Sequence, residues 1–290
     1  MDNGEILYTT LEPLSDEKAS SVFGGIPNSE APDGKVYSDC IKHVNPDSGE
    51  VLFQWKAIDH LDPNIFPLQP HYAREHWPLI NSVYPLRDGN ILASLRSVSA
   101  VIIIARDTGK VLWHLDSTVV AQQHCATELL SSSVLTPTAS PSPSVNGSSV
   151  STSNSDIYCT AGNILIFDNG AFRHHESTPF SRVIEVCRAT KEILWEYRDW
   201  SMPMAFFSAF MGGAQRLPNG NTLITEAVFG RIFEVTLEGD ICFEYVNDEF
   251  GSYDGVDQEL VKIGFNFKAN AIFRAYKYTP EQVPWIGNVG

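Results

Sequence analysis

The side chains with chemistry to offer in this 290-residue chain are mostly imidazoles and guanidiniums. His60, His76, His124 and the adjacent His174 and His175 are spread along it, as are Arg96, Arg182 and Arg231. An imidazole works near neutral pH as a nucleophile or as a general acid or base. A guanidinium stays charged and holds an oxyanion in a planar fork of donors. Familiar alternatives are missing: no glycine-rich phosphate loop, HExxH or GxSxG occurs. Cys40, Cys125, Cys159, Cys187 and Cys242 lie far apart without a CxxC pair. They read as free buried thiols of a reducing compartment, with one disulfide as the alternative.

Such groups need a scaffold, and composition bounds it. The chain is 43% hydrophobic and 11% aromatic, which is globular. Its net charge of −15 repels phosphate backbones and anionic lipid, so nucleic acid and membrane are not expected partners. The longest apolar run, near Val98–Ala105, is too short to span a bilayer. The opening MDNGEILYTT is acidic and polar, unlike a secretory signal, and a cytoplasmic location is favoured for the chain as given.

Repetition is the strongest pattern. SGEVLFQW, TGKVLWHL, TKEILWEY and EGDICFEY begin at residues 48, 108, 190 and 238, each a turn followed by a strand. DGNILASL, AGNILIFD and NGNTLITE precede three of them, and SAVIIIA, SRVIEVC and GRIFEVT lie between. Four strands per unit at a period of roughly 40–50 residues predict an all-β propeller of four-stranded antiparallel sheets. Six blades are expected, five being the alternative. Residues 1–35 read as an N-terminal extension and 36–290 as the propeller, with a Ser/Thr/Pro-rich disordered insert at 131–155. VYSDCIKHVN and ANAIFRAYKY would supply strands at the two ends. Trp55, Trp113, Trp195 and Phe243 are taken as one repeat position, packing blade on blade. Asp168 and Asn169 in IFDNG predict an Asx turn. Arg182 and Arg231 open the third strand of their units, where they either bind anions at the channel mouth or pair with Glu185 and Glu234. His174, His175 and Glu176 read as a solvated loop ahead of a metal or anion site.

GGAQRLPNGNTLITEAVFGRIFEVTLEGDICFEY (212–245) and FRAYKY (273–278) resemble the bacterial-type arylsulfotransferase family. WKAIDHLDP, NSVYPLRDGNILASLRSVSAVI, QQHCA and GNILIFDNG extend the likeness over about residues 48–278. The resemblance implies a six-bladed propeller that passes a sulfuryl group from a phenolic sulfate ester to another phenol without a nucleotide donor. It implies His124, after Gln123, as the nucleophile of a sulfohistidine intermediate, Arg96 as stabiliser of the sulfate oxygens, and His60 as a donor-binding or acid–base group. His76, Asn81, Arg182 and Arg231 are expected to bind substrate, and no metal or cofactor is expected. The sequence departs from the family at two places: Cys125 stands where Asp usually follows the histidine, and Leu79 where a histidine usually precedes NSV by two residues. The competing expectations are a catalytically degenerate propeller that binds or scaffolds, motivated by those departures, and a quinone-dependent dehydrogenase, whose blades also repeat TGxxxW. Family enzymes with a signal peptide work in the periplasm or outside the cell.

Overall fold

In a computed structural model the described residues are 4–129, 162–174, 176–202, 204–252 and 268–286. The insert at 131–155, His175 and Cys159 lie outside them. The repeats fold as four antiparallel sheets in chain order. The first holds Ile6–Pro13, Tyr37–Val44 and Val51–Lys56, with His76–Trp77 paired in parallel to Tyr37 and Ser38. The second is Ile80–Pro85, Ile91–Leu95, Ala100–Ile104 and Val111–Leu115. The third is His124–Glu128, Ile164–Asp168, Arg182–Val186 and Ile193–Tyr197. The fourth is Gly213–Arg216, Thr222–Glu226, Arg231–Val235 and Ile241–Val246. Among the described residues helix is confined to short pieces such as Asp16–Ser21 and Ala57–His60. Among the described residues no helix is long and apolar enough to cross a membrane.

The period of two decides which sheet each side chain faces. Ile91, Ala93 and Leu95 pack toward the first sheet, while Leu92 packs toward the third. Ile164 and Ile166 pack back on the second sheet, and Leu165 and Phe167 forward on the fourth. Middle strands are therefore buried on both faces and read as near-continuous apolar runs. The first strands of successive sheets also touch: Ile6–Pro13 meets Ile80–Pro85, which meets His124–Glu128, which meets Gly213–Arg216. Stacked four-stranded meanders whose first strands converge on an inner rim are the blades of a β-propeller. Three such sheets are present among the described residues, the first sheet being a three-stranded meander with His76–Trp77 added in parallel, and a ring of six or five stays an expectation. Ile6–Pro13, within the stretch read as an extension, is the inner strand of the first sheet. In the C-terminal stretch 269–278, only Ala269 is in a strand, from Lys268–Ala269, which pairs with Gly251–Ser252.

Register corrects one repeat alignment. Trp113, Trp195 and Phe243 oppose the penultimate residue of the third strand, and Phe53, not Trp55, does so in the first sheet. The blade-to-blade role of the tryptophans is nonetheless explicit. Trp55 Nε1 donates to Gly109 O (2.8 Å) and Trp195 Nε1 to Leu237 O (2.8 Å), each in the turn before the outer strand of the following sheet.

In those turns Gly49, Gly109 and Gly239 all have positive φ, at 72°, 69° and 92°. The third sheet puts Lys191 at the same place, at φ 64°. A Cβ in the left-handed region costs about 1 kcal/mol, partly offset by the freedom glycine adds to the unfolded chain. Lys191→Gly is expected to raise stability by about 0.5–1 kcal/mol, read as an upward shift of the thermal midpoint; an unchanged or lower midpoint contradicts this.

Cysteine use also differs from expectation. Cys40, Cys125 and Cys242 are free, but Cys187 is disulfide-bonded, so the all-thiol reading does not hold.

Candidate active site on the inner rim

His124 is the first residue of the inner strand of the third sheet, opposite Phe167. A β-bulge follows it, with Cys125 in left-handed backbone at φ 53°. Bulges of this kind re-aim side chains at the ends of strands. The ring is 4% exposed and fully tied down. Nδ1 lies 2.7 Å from Asn169 Oδ1, and Asn169 Nδ2 donates to Ser208 O (2.7 Å) and Met211 O (2.8 Å). Because the amide nitrogen is spent on two carbonyls, Oδ1 is an acceptor and the imidazole proton sits on Nδ1. Nε2 therefore carries the lone pair, facing the Met211 N–H at 3.3 Å. Burial pulls the His124 pKa down to about 4, opposed by the Asn169 hydrogen bond and reinforced by the Arg96 and Arg274 charges. At pH 7 the ring is neutral, and its Nε2 lone pair, which accepts the Met211 N–H, can act as a nucleophile once that hydrogen bond is given up.

Asn169 and Asp168 do not form the expected Asx turn. Their side chains reach across the sheet, Asn169 to His124 and Asp168 to the Ala121 N–H (2.8 Å) and to Arg173 and Arg182. The orienting role expected of an acidic residue at position 125 thus falls to Asn169. Cys125 is buried, which pushes its thiol pKa up.

Arg96 follows the second strand of the second sheet. Its N–H donates to Leu79 O (2.8 Å), its Nη2 to Gln122 Oε1 (3.5 Å), and its guanidinium lies 5.2 Å from the centre of the Tyr72 ring. Its Nε is buried without a partner. Gln122 is the hub of this corner: its Oε1 also accepts from the Tyr72 hydroxyl (3.1 Å), and its Nε2 meets His71 Nε2 and Ala171 O. His71 stacks on Phe172, with centroids 4.0 Å apart. Burial first, then Arg96 and His174, lower the His71 pKa, and burial raises that of Tyr72 to about 12. Sequence reading missed His71, Gln122, Asn169 and Arg274. His71 and Asn169 join the corner only by contacts between residues far apart in the chain; Gln122 and Arg274 were visible within QQHCA and FRAYKY, but without a position in space.

The other expected residues go elsewhere. His60 is exposed, stacked on Trp55 at 5.5 Å against the Gly109 turn, on outer strands. His76 Nε2 lies 2.9 Å from Asp39 Oδ2, which also accepts the Ile80 N–H. Asn81 Nδ2 donates to Gln123 O (2.7 Å), fixing the peptide before His124, and its buried Oδ1 has no partner. Arg182 and Arg231 are consumed by carboxylates other than Glu185 and Glu234. Arg182 pairs with Asp168 and Glu196, and Arg231 with Glu226 and Glu244, one bracket repeated in successive sheets. Glu185 instead holds Arg216, and Glu234 holds Lys277. Among the described residues no group of three or more His, Cys, Asp or Glu side chains is placed to hold a metal ion.

Residues 27–272 match the family model described as arylsulfotransferase (ASST). No curated protein matches the chain. Among solved structures, a protein of unknown function from Bacteroides caccae is 17% identical at a TM-score of 0.41, covering 71% of this chain and 53% of that one. The WD40 β-propeller domain of Doa1 is 11% identical at 0.38, covering 73% and 49%. Virginiamycin B lyase from Staphylococcus aureus is 12% identical at 0.36, covering 83% and 60%. The chain spans about half the length of the structures it matches.

Proposed function

The chain belongs to the arylsulfotransferase (ASST) family, and from that premise we propose that it transfers a sulfuryl group from an aryl sulfate ester to a phenolic acceptor through His124. The observation that carries this reading is the hydrogen bonding of His124: Nδ1 on Asn169 Oδ1, which leaves the lone pair on Nε2, in a ring that feels the Arg96 charge. In the first half-reaction Nε2 attacks sulfur, an N–S bond forms, and the S–O bond to the aryl group breaks with its electron pair leaving on the phenolate oxygen. The sulfated ring is an Nε2-sulfoimidazolium that keeps its Nδ1 proton on Asn169. Arg96 takes up charge on the sulfuryl oxygens. The acceptor phenol then loses its proton and attacks sulfur, restoring Nε2; that proton replaces the one taken by the departed phenolate. We assign its transfer to His71, the second imidazole of the Arg96 corner, joined to Arg96 through Gln122, in the part left open by Leu79. A six-bladed ring belongs to this same proposal.

The test is acceptor-dependent release of 4-nitrophenolate from 4-nitrophenyl sulfate, with parallel lines in double-reciprocal plots. Release no faster than with heat-denatured protein rejects the proposal, as does release that ignores the acceptor. Leu79 and Cys125 keep a second reading open, a propeller that binds aryl anions without turning them over; that reading predicts binding with no release.

A further inference from the structure

With 35 Asp and Glu against 20 Lys and Arg, carboxylates are in excess, and six of the eleven arginines, Arg74, Arg173, Arg182, Arg188, Arg216 and Arg231, each hold one. Arg96 and Arg274, the two guanidiniums whose charges act on His124, have no carboxylate partner among the described residues, and each has a buried Nε with no hydrogen bond. Arg198 shares both traits, but its guanidinium lies over the Phe180 and Trp200 rings. Burying an N–H donor without a hydrogen bond is costly. Two such unmet cationic donors, whose charges both act on one imidazole, are what a shared anion would satisfy.

Arg274 reaches this place by a specific route. The segment 273–277 is laced to the first two strands of the fourth sheet: Gly212 N–H, just before the inner strand, donates to Phe273 O (3.1 Å), Ala275 N–H to Thr225 Oγ1 (3.1 Å), and Lys277 N–H to Gln215 Oε1 (2.8 Å). Its stem then crosses Gly213, where a Cβ would stand 3.0 Å from Arg274 Cγ and 3.2 Å from Cys125 Sγ. The guanidinium is thereby carried to the bulge that begins at His124, and its Nη1 donates to the Tyr276 hydroxyl (3.0 Å). Arg96 follows a strand of the second sheet, Arg274 lies on the segment laced to the fourth, and His124 opens the inner strand of the third.

We propose that Arg274 is the second guanidinium of the sulfate site, its unpartnered Nε–H taking a sulfuryl oxygen. The proposal rests on the sulfuryl-transfer reading for its consequence in turnover, but its binding claim stands separately. Each guanidinium contributes charge-assisted hydrogen bonds that strengthen as negative charge gathers on the transferring group.

The experiment is calorimetric titration of the whole chain with inorganic sulfate and, separately, with neutral phenol, alongside turnover of 4-nitrophenyl sulfate. Arg274→Met is expected to weaken sulfate binding roughly 10- to 100-fold, leave phenol binding unchanged and lower kcat/KM by a similar factor; Arg274→Lys is expected to fall between. Should Arg274→Met not fold, Tyr276→Phe, which frees Nη1 of its partner, and Gly213→Ala, which displaces the stem, report on the same contact with several-fold losses. Equal sulfate affinity in wild type and variant overturns the proposal. So does equal loss of sulfate and phenol binding, which marks a purely structural arginine. A wild type that does not bind sulfate overturns it too. Sulfate binding that depends on Arg274 without any turnover supports it and rejects the transfer reading alone.

Discussion

Alanine at position 124 is expected to lower sulfuryl transfer by about 10³-fold or more, because it deletes the atom that bonds to sulfur. Radiolabelled sulfuryl from the donor should remain on the wild-type protein when acceptor is withheld, in an acid-labile form, and be absent from His124→Ala. Asn169→Leu is the more informative companion. It keeps the imidazole but removes the acceptor that holds the proton on Nδ1, so Nε2 is protonated in part of the population and the rate drops without loss of the ring. The same residue leaves a thermodynamic mark. With the folded pKa at about 4 and an unfolded value near 6.5, the unfolded chain binds the extra proton first as pH falls. Stability owed to the neutral ring is whole above pH 6.5 and is lost on the way down to 4, by about 3 kcal/mol. The alanine variant should therefore lose less stability than wild type over that window. A variant that retains full transfer, or full labelling, removes His124 from the mechanism.

The architecture was legible because a propeller writes itself locally. Each turn-and-strand phrase became a strand of the expected kind, with glycine at positive φ in three of the four outer turns. His124 and Arg96 were legible as residues of a family motif, and the structure brings both onto one rim beside Gln122. What was not legible is everything joining them across sheets. Gln122, two residues before the motif histidine in the chain, collects Arg96, Tyr72 and His71 from up to 51 residues away. Asn169 looked like turn chemistry because Asx residues before glycine usually are; its real partner is 45 residues upstream. Arg182 and Arg231 drew attention as possible anion binders, and only the strand register reveals the flanking carboxylates that neutralise them. His60 shared a motif with the rim residues but belongs to an outer strand connection, and spacing along the chain carries no radial coordinate.

Methionine in place of Arg96 is expected to reduce kcat/KM by about 10²- to 10³-fold, the usual cost of removing a preorganised donor aimed at developing charge. The guanidinium is held for that task from three directions: the Leu79 carbonyl fixes its backbone, Gln122 Oε1 takes one Nη, and the Tyr72 ring lies beneath it. No carboxylate among the described residues competes for it, so its charge is available to a ligand. The pH profile separates this role from mere packing. In wild type the acid limb of kcat/KM reports protonation of His124 and lies near pH 4. Burial is the main cause of that low value and survives the substitution, but the Arg96 repulsion does not. The limb should move to higher pH in Arg96→Met and stay below 6.5, while Arg96→Lys, still cationic, should keep the limb and recover only part of the rate because a lysine lacks the planar fork. If Arg274 shares the anion, Arg96→Met and Arg274→Met are coupled, and the double variant should lose less than the product of the single losses. Full multiplicative loss would mean two arginines acting on separate groups, and a limb unmoved by Arg96→Met would place its charge out of reach of the imidazole.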